Sequence, residues 1–245
     1  DITLQNQIGD LFSIVQPTHV IHTAAITNVD YCELNPEECN LVNVTATQYL
    51  ISASFNCRAH FQFLSTDFVF DGEKGNYSEE DKVNPLSNYA ISKVKGEEML
   101  MKQDETNWSI VRTIIVYGKA DNLSRSNLIV WAKETLKSNG EMKIIDDQFR
   151  SPTFADDLAK GCMSILEKEK TGVYHLSGPE TMSIYHLVER IAKFYNYSME
   201  NVARISSSTL NQPAKRPPRT GFNLNKAINN LDYSPRKLEE TLEEC

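Results

Sequence analysis

HFQFLST at residues 60–66, followed after a polar loop by NPLSNYAISKVKGEE at residues 84–98, is the stretch on which the fold turns. The first segment is a short apolar run that reads as a buried strand. The second is helical by composition from Tyr89 to about Met101. Tyr89 and Lys93 stand four apart on that helix, so a phenol and an ammonium share one face about a turn from each other. Spacing alone carries little, because chance supplies such pairs and the chain holds a second, Tyr233 and Lys237. The surroundings separate them. The helix at Tyr89 follows a strand ending in Ser65-Thr66, so the crossover can bring the phenol back beside a threonine hydroxyl. Tyr233 is followed by Ser234-Pro235-Arg236, has no partner strand end, and is expected at the surface.

Outward from this unit the same alternation recurs. A helix over 5–15 precedes a strand over 18–25 (THVIHTAA), and a long helix is expected from Pro36 to Phe55. The loop over 71–88 is broken by Gly72, Gly75 and Pro85. A strand follows over 108–118, then helix 125–138, strand 142–146, helix 155–168, strand 172–176 and helix 183–195. Strands alternating with helices of this length make an α/β fold, a doubly wound parallel sheet with helices on both faces. Residues 1–145 form the dinucleotide-binding part on this reading. Residues 146–245 form mainly a smaller C-terminal substrate-binding lobe, interleaved with the last sheet strands.

Composition excludes several classes of function. The 245 residues are 40% hydrophobic and 24% charged, as in globular proteins, and no apolar run approaches the roughly 18 residues of a membrane span. A net charge of −8 argues against a nucleic-acid backbone as partner. The chain is expected to be cytoplasmic. Five scattered cysteines, without a CxxC, read as reduced thiols, and no metal site is expected. His22 and His175 read as core histidines, and Glu79, Glu80 and Asp81 as a solvated loop face. The loop NQPAKRPPRTGFNLNK at 211–226 carries Lys215, Arg216, Arg219 and Lys226 with no acid, which suggests an anionic ligand.

Ligands of such sheets sit outside the carboxyl ends of the strands. Three strand ends carry small or polar residues there: Ala24-Ala25-Ile26-Thr27, Ser65-Thr66-Asp67 and Arg112-Thr113. Thr66, Tyr89 and Lys93 together can move a proton to or from a carbonyl or alcohol oxygen. An adjacent ammonium and a cationic nicotinamide would both lower the phenol pKa, and hydride must come from a cofactor.

FLSTDFVFDG (63–72) and NYSEEDKVNPLSNYAISKVKGEEML (76–100) resemble the extended short-chain dehydrogenase/reductases, in their dTDP-4-dehydrorhamnose reductase branch. VIHTAAITNVDYCE, NLVNVTAT, VRTIIVYG, DDQFRSPTFADDLA, GVYHLSG and RPPRTGFNLNKA extend the resemblance along the chain. It implies a Rossmann-type fold and NADPH- or NADH-dependent reduction of the 4-keto group of a nucleotide-linked deoxysugar. Thr66, Tyr89 and Lys93 would be the catalytic hydroxyl, the proton donor and the pKa-lowering, ribose-binding lysine. Asp1 and Ile2 would lie beside the adenine, Ala24, Ala25 and Thr27 beside the pyrophosphate and ribose, and Ser65 and Thr113 also on the cofactor. Asn43 would support the lysine. Asp67, Phe68, Ile115, Arg150 and Arg216 would face the nucleotide sugar, and a homodimer is compatible with this reading.

Three departures bear on that expectation. The Gly-rich GxxGxxG loop of the family is absent, and the chain opens at Asp1 without Met, so a first βαβ segment of about 40 to 50 residues is expected upstream. Ile115 stands where related reductases often carry an aromatic residue. Thr66-Asp67-Phe68 replaces the Thr-Asp-Glu of dehydratases, which weighs against dehydration. Two alternatives stay open: an epimerase of the same fold, and a non-catalytic regulatory subunit similar to the beta subunit of methionine adenosyltransferase.

Overall fold

The computed structural model describes residues 1–103, 107–119 and 127–245. Along the chain, α1 (Gln5–Val15) leads into β1 (His19–His22). Two short helices follow, α2 (Val29–Leu34) and α3 (Pro36–Asn40), and α3 runs through a π-helical turn at Leu41–Thr45 into α4 (Ala46–Asn56). Next come β2 (His60–Thr66), α5 (Asn88–Met101), β3 (Trp108–Thr113), β4 (Val116–Tyr117) and α6 (Leu128–Lys137). The C-terminal half contains β5 (Met142–Ile145), β6 (Phe149–Arg150), β7 (Thr153–Phe154), α7 (Ala155–Glu167), β8 (Gly172–His175), β9 (Met182–Ser183), α8 (Ile184–Tyr195), β10 (Val202–Ile205) and α9 (Asn225–Leu231).

The central sheet has the order β1-β2-β3-β8 and is parallel throughout. Alternate side chains of each strand feed two cores, as a sheet covered on both faces requires. Phe61, Phe63 and Ile110 pack with Ile8, Phe12, Leu50 and Leu100 from α1, α4 and α5. Val111 and Tyr174 pack on the other face with Leu158, Ile165, Leu231 and Tyr233, under α7 and α9. The α/β class with helices on both faces is therefore the one expected. A further core joins α6, β5 and α8 to Leu238 and Leu242 near the C-terminus.

Several boundaries differ from expectation for local reasons. The strand over 108–118 breaks after Thr113, because Ile115 takes φ 35° and turns the chain, and Val116–Tyr117 then pairs with Thr153–Phe154. The strand at 142–145 does not join the central sheet. It pairs in parallel with Val202–Ile205, a four-residue strand far along the chain that sequence reading did not expect. The long helix expected over 36–55 carries the π turn, and α2 before it was not expected. Residues 125 and 126, assigned to the start of α6 from sequence, lie outside the described residues; Asn127 caps that helix, its Oδ1 accepting from Val130 N at 3.0 Å.

Two features aim α5 at the sheet edge. Ser87 is its N-cap, Oγ accepting from Ala90 N, and the Asn88 amide donates to Glu33 Oε2 of α2 at 2.9 Å. Gly96 lets the helix lie close on β2. A Cβ there would come within 2.6 Å of the Phe63 ring, so any larger residue would lift α5 off the strand.

Candidate active site

The register of β2 on β3 sets Thr66 opposite Thr113 at the carboxyl end of the sheet. A cleft of about 340 Å³ opens there, lined by Thr23, Ala25, Thr27, Val29, Leu64, Ser65, Thr66, Asp67, Phe68, Tyr89, Lys93, Thr113, Ile115 and Val116. A larger depression of about 720 Å³ lies on the outside of α8, but Arg190, its central cation, is already paired with Glu180 and Glu239. The strand-end cleft is where reactive groups converge.

Thr66 caps a 3-10 turn over Asp67–Val69. Its Oγ1 accepts from Phe68 N at 3.3 Å and donates to Asp67 Oδ1 at 3.1 Å. Tyr89 and Lys93 enter the cleft from the first two turns of α5, and the Phe68 ring meets the Tyr89 ring edge-on, centroids 6.2 Å apart. Lys93 is 4% exposed, with Nζ 4.0 Å from the centroid of the Phe63 ring. No hydrogen bond or ion pair to it occurs among the described residues. A buried ammonium without a partner is costly, and burial pulls its pKa down to about 8, with Glu97 opposing.

The phenol departs from expectation. Burial pushes the Tyr89 pKa well above its ordinary value, the Thr66 hydroxyl opposing, and Lys93 does not bring it down in the protein alone. The phenol rests protonated, which is the state a proton donor needs. Asp67 is also buried, and burial raises its carboxyl; the Arg150 guanidinium and Thr220 hydroxyl hold it back.

Other expected site residues serve in different places. Asn43, in the π turn, clamps Ile26 with two bonds, Oδ1 accepting from Ile26 N at 2.8 Å and Nδ2 donating to Ile26 O at 3.0 Å. Nδ2 also donates to Ser92 Oγ at 3.1 Å, so Asn43 ties the loop after β1 to the residue beside Lys93 without bonding the lysine. Ser65 borders the cleft while its hydroxyl donates to Glu97 Oε1 at 2.5 Å, inside the core. Arg150 is 2% exposed and spends its donors on Phe149 O, Pro217 O and Pro218 O, with Nε 3.5 Å from Asp67 Oδ2. It fixes the basic loop to the strand end instead of lining the cleft. Arg216 forms a two-point pair with Asp30 of α2 at 3.0 and 2.7 Å. Asp1, Ile2 and Ala24 also lie outside the cleft lining; the Asp1 carboxylate accepts from Thr3 N at 2.9 Å, and Ile2 packs on the α1 core.

Thr23, Val29, Leu64 and Val116 line the cleft without having been expected. Thr23 lay in the strand expected over 18–25, one residue before the strand end singled out from sequence; Val29 belongs to the helix that periodicity missed. His22 is a core residue, Nε2 3.0 Å from Thr47 Oγ1, its pKa pulled down to about 4 by burial and then Lys93. Glu79 is half-buried and accepts from His175 N at 3.0 Å, so it is no solvated face. All five cysteines are free, and Cys32 and Cys39 pack beneath Tyr89. No helix among the described residues is long and apolar enough to cross a membrane.

Comparison with known proteins meets this geometry. A dTDP-4-dehydrorhamnose reductase of Aggregatibacter actinomycetemcomitans is 29% identical over 254 residues, covering 99% of this chain and 85% of that protein. Methionine adenosyltransferase 2 subunit beta of Xenopus tropicalis is 29% identical over 209 residues, covering 83% of this chain and 61% of that protein. The crystal structure of dTDP-4-dehydrorhamnose reductase from Bacillus anthracis in complex with NADP superposes with a TM-score of 0.91 at 28% identity, over 99% of this chain and 85% of that one. The family model described as RmlD substrate binding domain matches residues 1–245. The chain belongs to the RmlD substrate binding domain family.

Proposed function

We propose that this chain is an NAD(P)H-dependent sugar-nucleotide ketoreductase that reduces the 4-keto group of a nucleotide-linked deoxysugar, with Tyr89 as proton donor. The observation that carries the reading is Lys93: an ammonium buried at the cleft, lined up one turn after a protonated phenol and bonded to nothing among the described residues. Such a group fits a ligand that brings hydroxyls, as the ribose of a nicotinamide nucleotide does. Ala25 and Thr27 leave room beside it, and Ser65 and Thr113 complete that wall. When bound, NADPH or NADH supplies hydride to the carbonyl carbon. The protein's part is to seat the carbonyl oxygen between Thr66 and Tyr89. Tyr89 then gives its phenolic proton to that oxygen as charge develops, and Lys93 stabilises the resulting phenolate.

The division of labour we propose puts the cofactor mainly on residues 1–145 and the substrate mainly on 146–245, with α6 and β5 built into the lobe core. Asp67, Phe68 and Ile115 face the sugar side of the cleft on this reading. The dTDP-4-dehydrorhamnose reductases among its relatives support this substrate class. A regulatory role is the second reading, favoured by the likeness to methionine adenosyltransferase 2 subunit beta. Turnover separates the two. Oxidation of NADPH or NADH followed at 340 nm with a dTDP-4-keto-6-deoxyhexose is expected; cofactor binding without oxidation would favour the regulatory reading.

A further inference from the structure

Behind Lys93 lies a buried charge pair that the proposed chemistry does not use. Glu97 follows Lys93 by one turn on α5 and is 2% exposed. Its Oε1 accepts from Ser65 Oγ at 2.5 Å and Arg112 Nε at 3.0 Å, and its Oε2 accepts from Arg112 Nη2 at 2.6 Å. Arg112 Nη1 lies 3.4 Å from His175 Nε2, while His175 Nδ1 lies 3.1 Å from Tyr77 O. His175 is kept neutral, its pKa pulled down to about 3 by burial and Arg112, so Nδ1–H donates to the carbonyl and Nε2 accepts from the arginine. Each nitrogen of Arg112 and His175 and each carboxylate oxygen of Glu97 thereby has a partner.

We infer that Glu97, locked by Arg112 and Ser65, is a positioning residue that fixes α5 beneath the reactive cleft and supplies the anionic field that keeps Lys93 protonated. This rests on reading Lys93 as catalytic. An ion pair buried this deeply is weak support for stability, since an apolar pair of equal volume serves as well or better. Its placement one turn from a partnerless ammonium gives it another use. Against Lys93 stand the neutral His22 at the end of β1, the Cys39 thiol of α3, the Phe63 ring of β2 and Glu97 on its own helix, while Asp67 and Tyr89 line the same cleft. Glu97 is the carboxylate that acts most strongly on Lys93, and Ser65 and Arg112 prevent it from swinging away.

The test reads Lys93 itself, without substrate or cofactor, by NMR titration of the ε-carbon in protein labelled at lysine, with the resonance assigned from Lys93→Met. Glu97→Gln keeps the shape and removes the charge. The Lys93 midpoint is expected to fall by about one pH unit or more, as loss of an opposite charge at short range implies. Should the stranded Arg112 prevent folding, Glu97→Gln with Arg112→Met removes it, and a fall is still expected because Glu97 is the charge that most strongly opposes the lowering of the Lys93 pKa. Glu97→Asp should restore most of the midpoint. An unchanged midpoint in a folded variant lacking the carboxylate would overturn the inference. A midpoint that moves in a chain that reduces no keto-sugar nucleotide would keep it and sink the reductase reading instead.

Discussion

Tyr89 and Tyr233 are both buried, both have phenols pushed up by burial, and both precede a lysine by four residues. Tyr89 starts a helix, so Lys93 stacks one turn behind it in the same cleft. Tyr233 follows the end of α9, where Asp232 takes φ 54°, and the chain to Lys237 is not helical. Its hydroxyl donates to Ser177 O at 3.1 Å within the α7/α9 core, and Lys237 is exposed. The spacing is identical and the geometry is not. In this fold the spacing brings phenol and ammonium into one cleft only where the helix starts at the carboxyl end of a strand.

The comparison can be broken most forcefully at the lysines. Lys93→Met should lower keto-sugar turnover at least a hundredfold, while Lys237→Met leaves it within about twofold. The same change should stabilise the protein. Lys93 has a folded pKa of about 8 against 10.5 for the free group, so between those values the unfolded state holds the extra proton and stability rises with pH. Below pH 8 the penalty is complete. Lys93→Met removes it, and the melting temperature at pH 7 should rise by a few degrees, measured by calorimetry. A fall would mean that the ammonium is paired in solution.

Next in size is the basic loop. Arg216 is paired with Asp30 and partly exposed, and on the proposed reading an anionic substrate would compete with Asp30 for the guanidinium. Arg216→Ala should raise KM about tenfold and leave kcat within about twofold, as loss of binding common to ground and transition states does. Equal losses in both would place Arg216 in the chemical step.

The smallest effect belongs to the second tyrosine. Sequence reading put Tyr233 at the surface, and the structure buries it. Tyr233→Phe should therefore cost about 1 kcal/mol of stability, by stranding the Ser177 carbonyl, while turnover changes less than about twofold. Urea unfolding with parallel kinetics measures both.

Much of this was legible in the chain. Short runs at 60–66 and 172–175, carrying Phe61, Phe63 and Leu64 and Val173 and Tyr174, marked central strands, and Ser65-Thr66 ahead of the Tyr89 helix marked the edge where the cleft opens. What escaped depends on long-range pairing. Periodicity gives a strand at 142–145 but not its sheet, because its partner Val202–Ile205 is only four residues long and lies far along the chain. Arg150 and Arg216 look alike in sequence; only the fold shows that one is a buried strut on Pro217 and Pro218 and the other a partly exposed pair with Asp30. The rise of the Tyr89 phenol also lay outside sequence reasoning, since it depends on how deeply Cys32, Cys39 and Phe68 enclose the ring.

The central claim, that the phenol at the strand end and not its double near the C-terminus delivers the proton, rests on one side-by-side measurement. Tyr89→Phe and Tyr233→Phe differ from the parent by a single hydroxyl each and should both fold and bind NADPH. Their single-turnover rates with a dTDP-4-keto-6-deoxyhexose should separate by about 10² to 10⁴, Tyr89→Phe being the slow one. Rates within tenfold of each other, or a slow Tyr233→Phe, would contradict the claim.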